Sequence, residues 1–163
     1  MVLIAIVMKA ASLKEIKLEL DLSHPKRIQE LCMRMAKFRK ENKELLTYLL
    51  FEADDENVYI VGVKAEIDGL FKDVNKTNSF YAKKTIRKIL RITNKYIKYS
   101  GSKQTEIELL LHFCTGLKIS GISLSSGTVL GNIYQRQVQK IKKSLAALHE
   151  DLQYDYSEEL RLL

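Results

Sequence analysis

Proline and glycine are scarce in this chain: one proline, Pro25, and seven glycines in 163 residues, with no tryptophan at all. All-β folds punctuate their turns with those residues, so their scarcity predicts long helices. Only two cysteines occur, Cys32 and Cys114, each among apolar neighbours at helical spacing. Two such thiols make neither a disulfide framework nor a zinc set, and they read as buried core cysteines in a reducing cytosol. Long hydrophobic runs are missing too. The apolar opening, Met1 to Val7, is short, is interrupted by Lys9 and follows no positive segment, so it fails as a signal peptide or membrane span. Met8 is an alternative start, which would make residues 1–11 a non-native or loosely docked extension.

Reactive constellations are absent from the pattern as well. There is no Gly-x-Ser-x-Gly elbow. Ser125-Ser126-Gly127-Thr128 opens a helix but lacks the Gly-Lys-Ser/Thr core of a phosphate loop, and no strand precedes it, so it reads as ordinary capping. The histidines His24, His112 and His149 are scattered. Glu108 and His112 share a helix face four residues apart, which supplies two ligands where metal chemistry wants three or more, and no repeated Glu-x-x-His set is present. Asp54, Asp55 and Glu56 read as helix-start charges. No catalytic, cofactor-binding or metal residue is assigned.

What is there is helical periodicity. Ser12-Leu13-Lys14-Glu15 has the form of a capping box and starts a short helix with Leu13, Ile16 and Leu20 on one side. Ser23 and Pro25 open the next, with Ile28, Leu31, Cys32, Met35 and Phe38 as its stripe. Asn42 is expected to cap a third carrying Leu45, Leu46, Leu49 and Leu50. Val58 to Val61 looks strand-like by propensity, but Ile60, Val63, Ile67, Leu70, Phe71 and Val74 keep helical spacing, which predicts a helix from Asp54 to Val74. Asn78 or Ser79 caps a long helix from about Phe80 to Tyr99, ended by Gly101. Thr105 to Leu117 forms another, with Ile107, Leu110, Leu111 and Cys114 inward. After an irregular stretch from Lys118 to Gly127, a last helix runs from Thr128 to at least Leu152, and the tail continues it or folds back.

These helices predict an all-α fold in one domain, residues 1–163, built as stacked antiparallel helical hairpins in the manner of HEAT-type repeats or as an orthogonal helical bundle. No residue-level repeat supports the first arrangement beyond its architecture.

The feature that stands out is the helix at 80–99. From Asp73 to Glu106 no acidic residue intervenes. At roughly 100° per residue, Lys84, Arg87, Lys88, Arg91, Lys95 and Lys98 fall on one face, opposite Ala82, Ile86, Ile89, Leu90, Thr93 and Ile97. The cationic stripe is about 21 Å long at a rise of about 1.5 Å per residue. Three fates are open to it: a solvated face, neutralisation by the acidic tail of Glu150, Asp151, Asp155, Glu158 and Glu159 in the same chain or a neighbour, or an anionic partner. Tyr81, Tyr96 and Tyr99 offer stacking surfaces for unpaired bases, although their place at the edge of the apolar face favours packing.

The runs KENKELLTYLLFEA, KKTIRKILRITNKYIKYS, TEIELLLHFC and LHEDLQYDY resemble those of a family of small, all-helical bacterial proteins with no assigned activity. The resemblance spans nearly the whole chain from Met8 onward. It implies a cytosolic helical fold and carries over no catalytic residue and no cofactor. Three functional readings stand. The first is a non-catalytic helical interaction or scaffold module that binds another macromolecule, a protein in preference to nucleic acid, with homo-oligomers allowed. The second is weak, sequence-nonspecific nucleic-acid binding through the cationic helix. The third is an enzyme whose site the pattern does not reveal.

Overall fold

The computed structural model describes residues 9–163; the Met1 to Val7 run and the choice between Met1 and Met8 lie outside them. Every regular element among the described residues is helical. The chain divides into two compact units, Met1–Leu46 and Thr47–Leu163. The division follows the distribution of fully buried apolar residues, which among the described residues begin at Tyr48.

The first unit holds α1 (Leu13–Asp21), α2 (Pro25–Phe38) and most of α3 (Lys40–Thr47). The capping box that opens α1 is present: Glu15 N–H donates to Ser12 Oγ at 3.3 Å, and Ser12 N–H donates to the Glu15 carboxylate at 2.7 Å. Helix α2 starts with Pro25 in its first turn as expected, but His24 is the cap, its Nδ1 accepting from Lys26 N–H at 3.2 Å. The Ser23 hydroxyl instead donates back to Glu19 C=O at 2.8 Å and closes α1. Asn42 does not cap α3. It sits inside that helix and donates to Met35 C=O at 2.9 Å, satisfying a carbonyl that the end of α2 leaves without a helical partner. None of the three helices buries a residue fully. Cys32, Met35 and Phe38 are exposed, which corrects the expectation of a buried Cys32: the stripe is amphipathic, but burial needs an opposing surface as well as a pattern.

The second unit opens with a π-helical turn, Tyr48–Glu52, in which Ala53 N–H reaches back five residues to Tyr48 C=O at 2.9 Å. The wider turn shifts the helical phase. Tyr48 goes inside, while Leu49 and Leu50 are exposed. Helix α4 (Glu56–Lys72) follows, capped by Asp55, whose carboxylate accepts from Val58 N–H at 3.1 Å. The strand-like residues are helical here, because Tyr59, Ile60, Val63 and Ile67 fall on one buried face. Helix α5 (Ser79–Ser100) is capped by Asn78 Oδ1, which accepts from Phe80 and Tyr81 N–H. It ends at Gly101, whose left-handed φ of 68° lets its N–H close on Ile97 C=O at 2.9 Å.

Helix α6 (Lys103–Ile119) is the hub. It packs against α4, α5, α7 (Val129–Leu145) and α8 (Glu150–Arg161), and Ile107, Leu109, Leu110, Phe113, Cys114 and Leu117 are wholly inside. Its apolar residues therefore wrap most of the way round, as a helix covered on several sides requires. The expected single helix from Thr128 to Leu152 is broken. Helix α7 ends at Leu145, turns through 146–148, and restarts behind His149, whose extended backbone (φ −63°, ψ 148°) cannot continue a helix. Glu150 and Asp151 in the new first turn suit a helix N-terminus. The tail packs on α6 and α7. Tyr134 Oη donates to Leu163 C=O at 2.7 Å, and Lys118 Nζ donates to the Leu162 and Leu163 carbonyls at 2.9 and 2.8 Å.

Candidate functional site

Helix α5 divides as its sequence pattern requires. Ala82, Ile86, Ile89, Thr93 and Ile97 are buried and Leu90 half-buried. The Thr93 hydroxyl, wholly inside, donates to Ile89 C=O at 3.0 Å, so its burial leaves no orphaned polar atom. The opposite face presents Lys84, Arg87, Lys88, Arg91 and Lys98 exposed, with Lys95 half-buried. Among the described residues, no ion pair holds Lys84, Arg87, Lys88, Arg91 or Lys98. The Lys95 ammonium lies 4.7 Å from the centre of the Tyr96 ring and 5.8 Å from that of Tyr99, a cation–π contact that holds it to its own helix. The six residues thus lie along one face, five free in solvent and the sixth leaning on aromatic rings.

The acidic tail does not neutralise this face among the described residues. Glu158 pairs with Arg161 one turn on, and Asp151 faces His149 at 3.4 Å. The tyrosines divide. Tyr99 is buried, and Tyr96 donates to the Glu66 carboxylate at 2.6 Å, so both serve packing. Tyr81 is exposed. So is Phe80, 71% exposed and edge-on to Tyr81 at 5.6 Å between ring centres. Phe80 was missed by a reading that looked only at tyrosines. Its signal was its spacing, four residues before Lys84 and hence on the cationic face. It lines one recess of about 630 Å³ together with Lys83, Lys84, Arg87, Lys88 and Arg91.

Carboxylates of the second unit are turned to structural work. Glu106 is almost completely buried. It receives Ser144 Oγ at 2.6 Å, Lys140 Nζ at 2.9 Å and Lys103 Nζ at 3.0 Å. Burial alone would raise its pKa, but these three donors outweigh it and hold the group at about 2. Glu56 is opposed by burial in the same way, yet hydroxyls of Ser100, Thr105 and Tyr48 donate to it and bring its pKa below the usual range. Glu108 accepts from Lys64 Nζ and Tyr156 Oη, each at 2.8 Å, while His112 Nε2 meets Asp68 Oδ1 at 2.7 Å. Glu108 and His112 are therefore each engaged with different partners. Among the described residues, no group of three His, Cys, Asp or Glu is placed to hold a metal. The Ser125 to Thr128 turn is a cap: Thr128 Oγ1 donates to Ser125 C=O and accepts from Gly131 N–H.

The class defined by this fold is an all-α protein with a cation-lined face on α5, and no described helix is long and apolar enough to cross a membrane. No family model, curated protein or solved structure matches the chain. Function has to be argued from the geometry.

Proposed function

We propose that the chain is a non-catalytic helical interaction module that holds an anionic macromolecule against the outer face of α5. The observation that carries this is the unneutralised row of Lys84, Arg87, Lys88, Arg91 and Lys98 on a helix whose other face is already buried. Like charges one turn apart cost only tenths of a kcal/mol each on a solvated helix. The row therefore does not demand a partner for stability; it supplies a field that concentrates one. Against catalysis, the buried Glu106 and the half-buried Glu56 and Glu108 are each tied to hydroxyls or ammonium groups rather than poised for proton transfer.

The test reverses Lys84, Arg87, Arg91 and Lys95 to Glu and compares retention on heparin with a control in which Lys14, Lys17, Lys26 and Lys37 are reversed instead. Both variants change net charge equally. The α5 variant is expected to lose retention and the control to keep most of it. Equal losses would mean that only total charge matters, and would defeat the proposal.

A further inference from the structure

We infer that the cationic surface continues from α5 onto α7 and takes a single-stranded nucleic acid, its phosphates over both helices and one base against Phe80. This rests on the α5 reading above and names its partner. The two helices meet where Lys140 Nζ donates to Asn94 Oδ1 at 3.2 Å. On α5, Arg91 and Lys98 stand one turn to either side of Asn94. On α7, Arg136 and Lys143 stand one turn to either side of Lys140. All four are exposed, so four solvent-facing cations surround the junction. Neither helix contains an aspartate or glutamate. The carboxylate that lies at this junction, Glu106, is buried and already occupied by Lys140, Lys103 and Ser144. Its single charge is taken up by the two lysines bound to it, and among the described residues no carboxylate pairs with the four surrounding cations.

Cations recur on α5 about once per turn, roughly every 5.4 Å, a spacing that a flexible phosphodiester chain can follow. Phe80 adds what phosphate contacts alone lack. It is a large exposed apolar ring at the start of the same face, and a base can stack on it only if unpaired. A duplex keeps its bases stacked within itself, which favours a single strand. A lipid surface fits less well, because an interfacial helix needs its apolar face free to enter the bilayer, and Ile86 and Ile89 of α5 are wholly inside the protein.

The experiment titrates the full chain into a fluorescein-labelled oligothymidylate about 20 nucleotides long at several salt concentrations, followed by anisotropy. Vesicles of phosphatidylserine and phosphatidylcholine are tested in parallel. With about five phosphates engaged, log affinity should fall with log salt at a slope of about −3.5. Arg136→Ala with Lys143→Ala should make that slope shallower by about 1.4, from two lost phosphate contacts. Phe80→Ala should weaken binding about tenfold and leave the slope unchanged. These three side chains are exposed, so circular dichroism should show all variants folded. If the α5 charge reversal abolishes oligonucleotide binding while the α7 and Phe80 variants bind as the parent does, the two-helix surface is wrong and the α5 proposal survives. Binding to the vesicles without binding to the oligonucleotide would likewise overturn the inference. Heparin retention unmoved by the α5 reversal would remove the underlying reading itself.

Discussion

Helices α2 and α5 both carry apolar residues once per turn against a largely polar remainder, yet their fates differ. In α5, Ala82, Ile86, Ile89, Thr93, Ile97 and Tyr99 are buried. In α2, no residue is, and Met33, Met35 and Phe38 are exposed. The difference lies in what opposes each face. Helix α5 packs against α4 and α6, and α6 presents apolar side chains nearly all round. Once the apolar side of α5 is used in this way, its cations, with Phe80 and Tyr81 at its start, remain for solvent. A helix with both faces open offers no such clear assignment. The functional proposal therefore depends on the packing of the second unit as much as on its charge.

The cysteines give the sharpest way to break this comparison. Cys114 has no exposed surface, and burial pushes its thiol pKa up to about 12; Cys32 is exposed. A chromogenic disulfide reagent should titrate Cys32 quickly in the native protein. Cys114 should react on the order of 10³-fold more slowly, or only with denaturant, because its access requires opening of the core. Equal rates would mean that α6 is not the rigid centre described here.

Stability should follow the same contrast. Leu110→Ala, at a position with no exposure, should cost about 3 kcal/mol. Met35→Ala, 60% exposed, should stay within about 0.5 kcal/mol. Denaturant titration of the two variants measures both.

Glu106→Gln should cost about 2 kcal/mol at neutral pH, since it removes the charge that Lys140 and Ser144 converge on. The folded pKa, about 2, lies below the 4.5 of an unperturbed glutamate. The stabilisation is therefore complete above about pH 4.5 and is lost as pH falls towards 2, where parent and variant should converge. A gap that stayed constant through that window would show that Glu106 acts through packing rather than charge.

The smallest expected effects are at the caps. Asn78→Ala removes an acceptor for two N–H groups at the start of α5 and should cost about 1 kcal/mol in the thermal or denaturant transition. Ser12→Ala opens a cap on α1, which buries nothing, and should move the same transition by less than about half that.

Much of this was legible in the residues. The helix at 56–72 could be told from a strand because Ile60, Val63 and Ile67 recur at helical spacing, and burial of those same residues is what makes it a helix. The cationic face of α5 and its caps at Asn78 and Gly101 were equally readable, since each depends on local spacing and backbone chemistry. Failures came where local pattern meets tertiary context. Cys32 sits in an amphipathic stripe, but a stripe does not reveal whether another surface will cover it. The π-helical turn at Tyr48 moves the phase by one residue, which helical spacing cannot foresee. The break behind Leu145 carries no proline or glycine, so nothing in 146–149 announces it. Beyond the break, Tyr156 Oη donates to the Glu108 carboxylate at 2.8 Å, an interaction 48 residues apart that local spacing does not show. The junction of α5 with α7 is also long-range, which is why Arg136 and Lys143 escaped a reading made helix by helix.

The central claim, that Lys84, Arg87, Lys88, Arg91 and Lys98 pair with no carboxylate among the described residues, can be read directly from lysine acylation rates in the unliganded protein, resolved by mass spectrometry. Lys84, Lys88 and Lys98 should react as fast as Lys26, and well ahead of Lys64, whose ammonium is bound to Glu108 at 2.8 Å. Protection of Lys84 and Lys88 to the level of Lys64 would mean that the chain covers this face itself, and the account of α5 as a docking surface would be wrong.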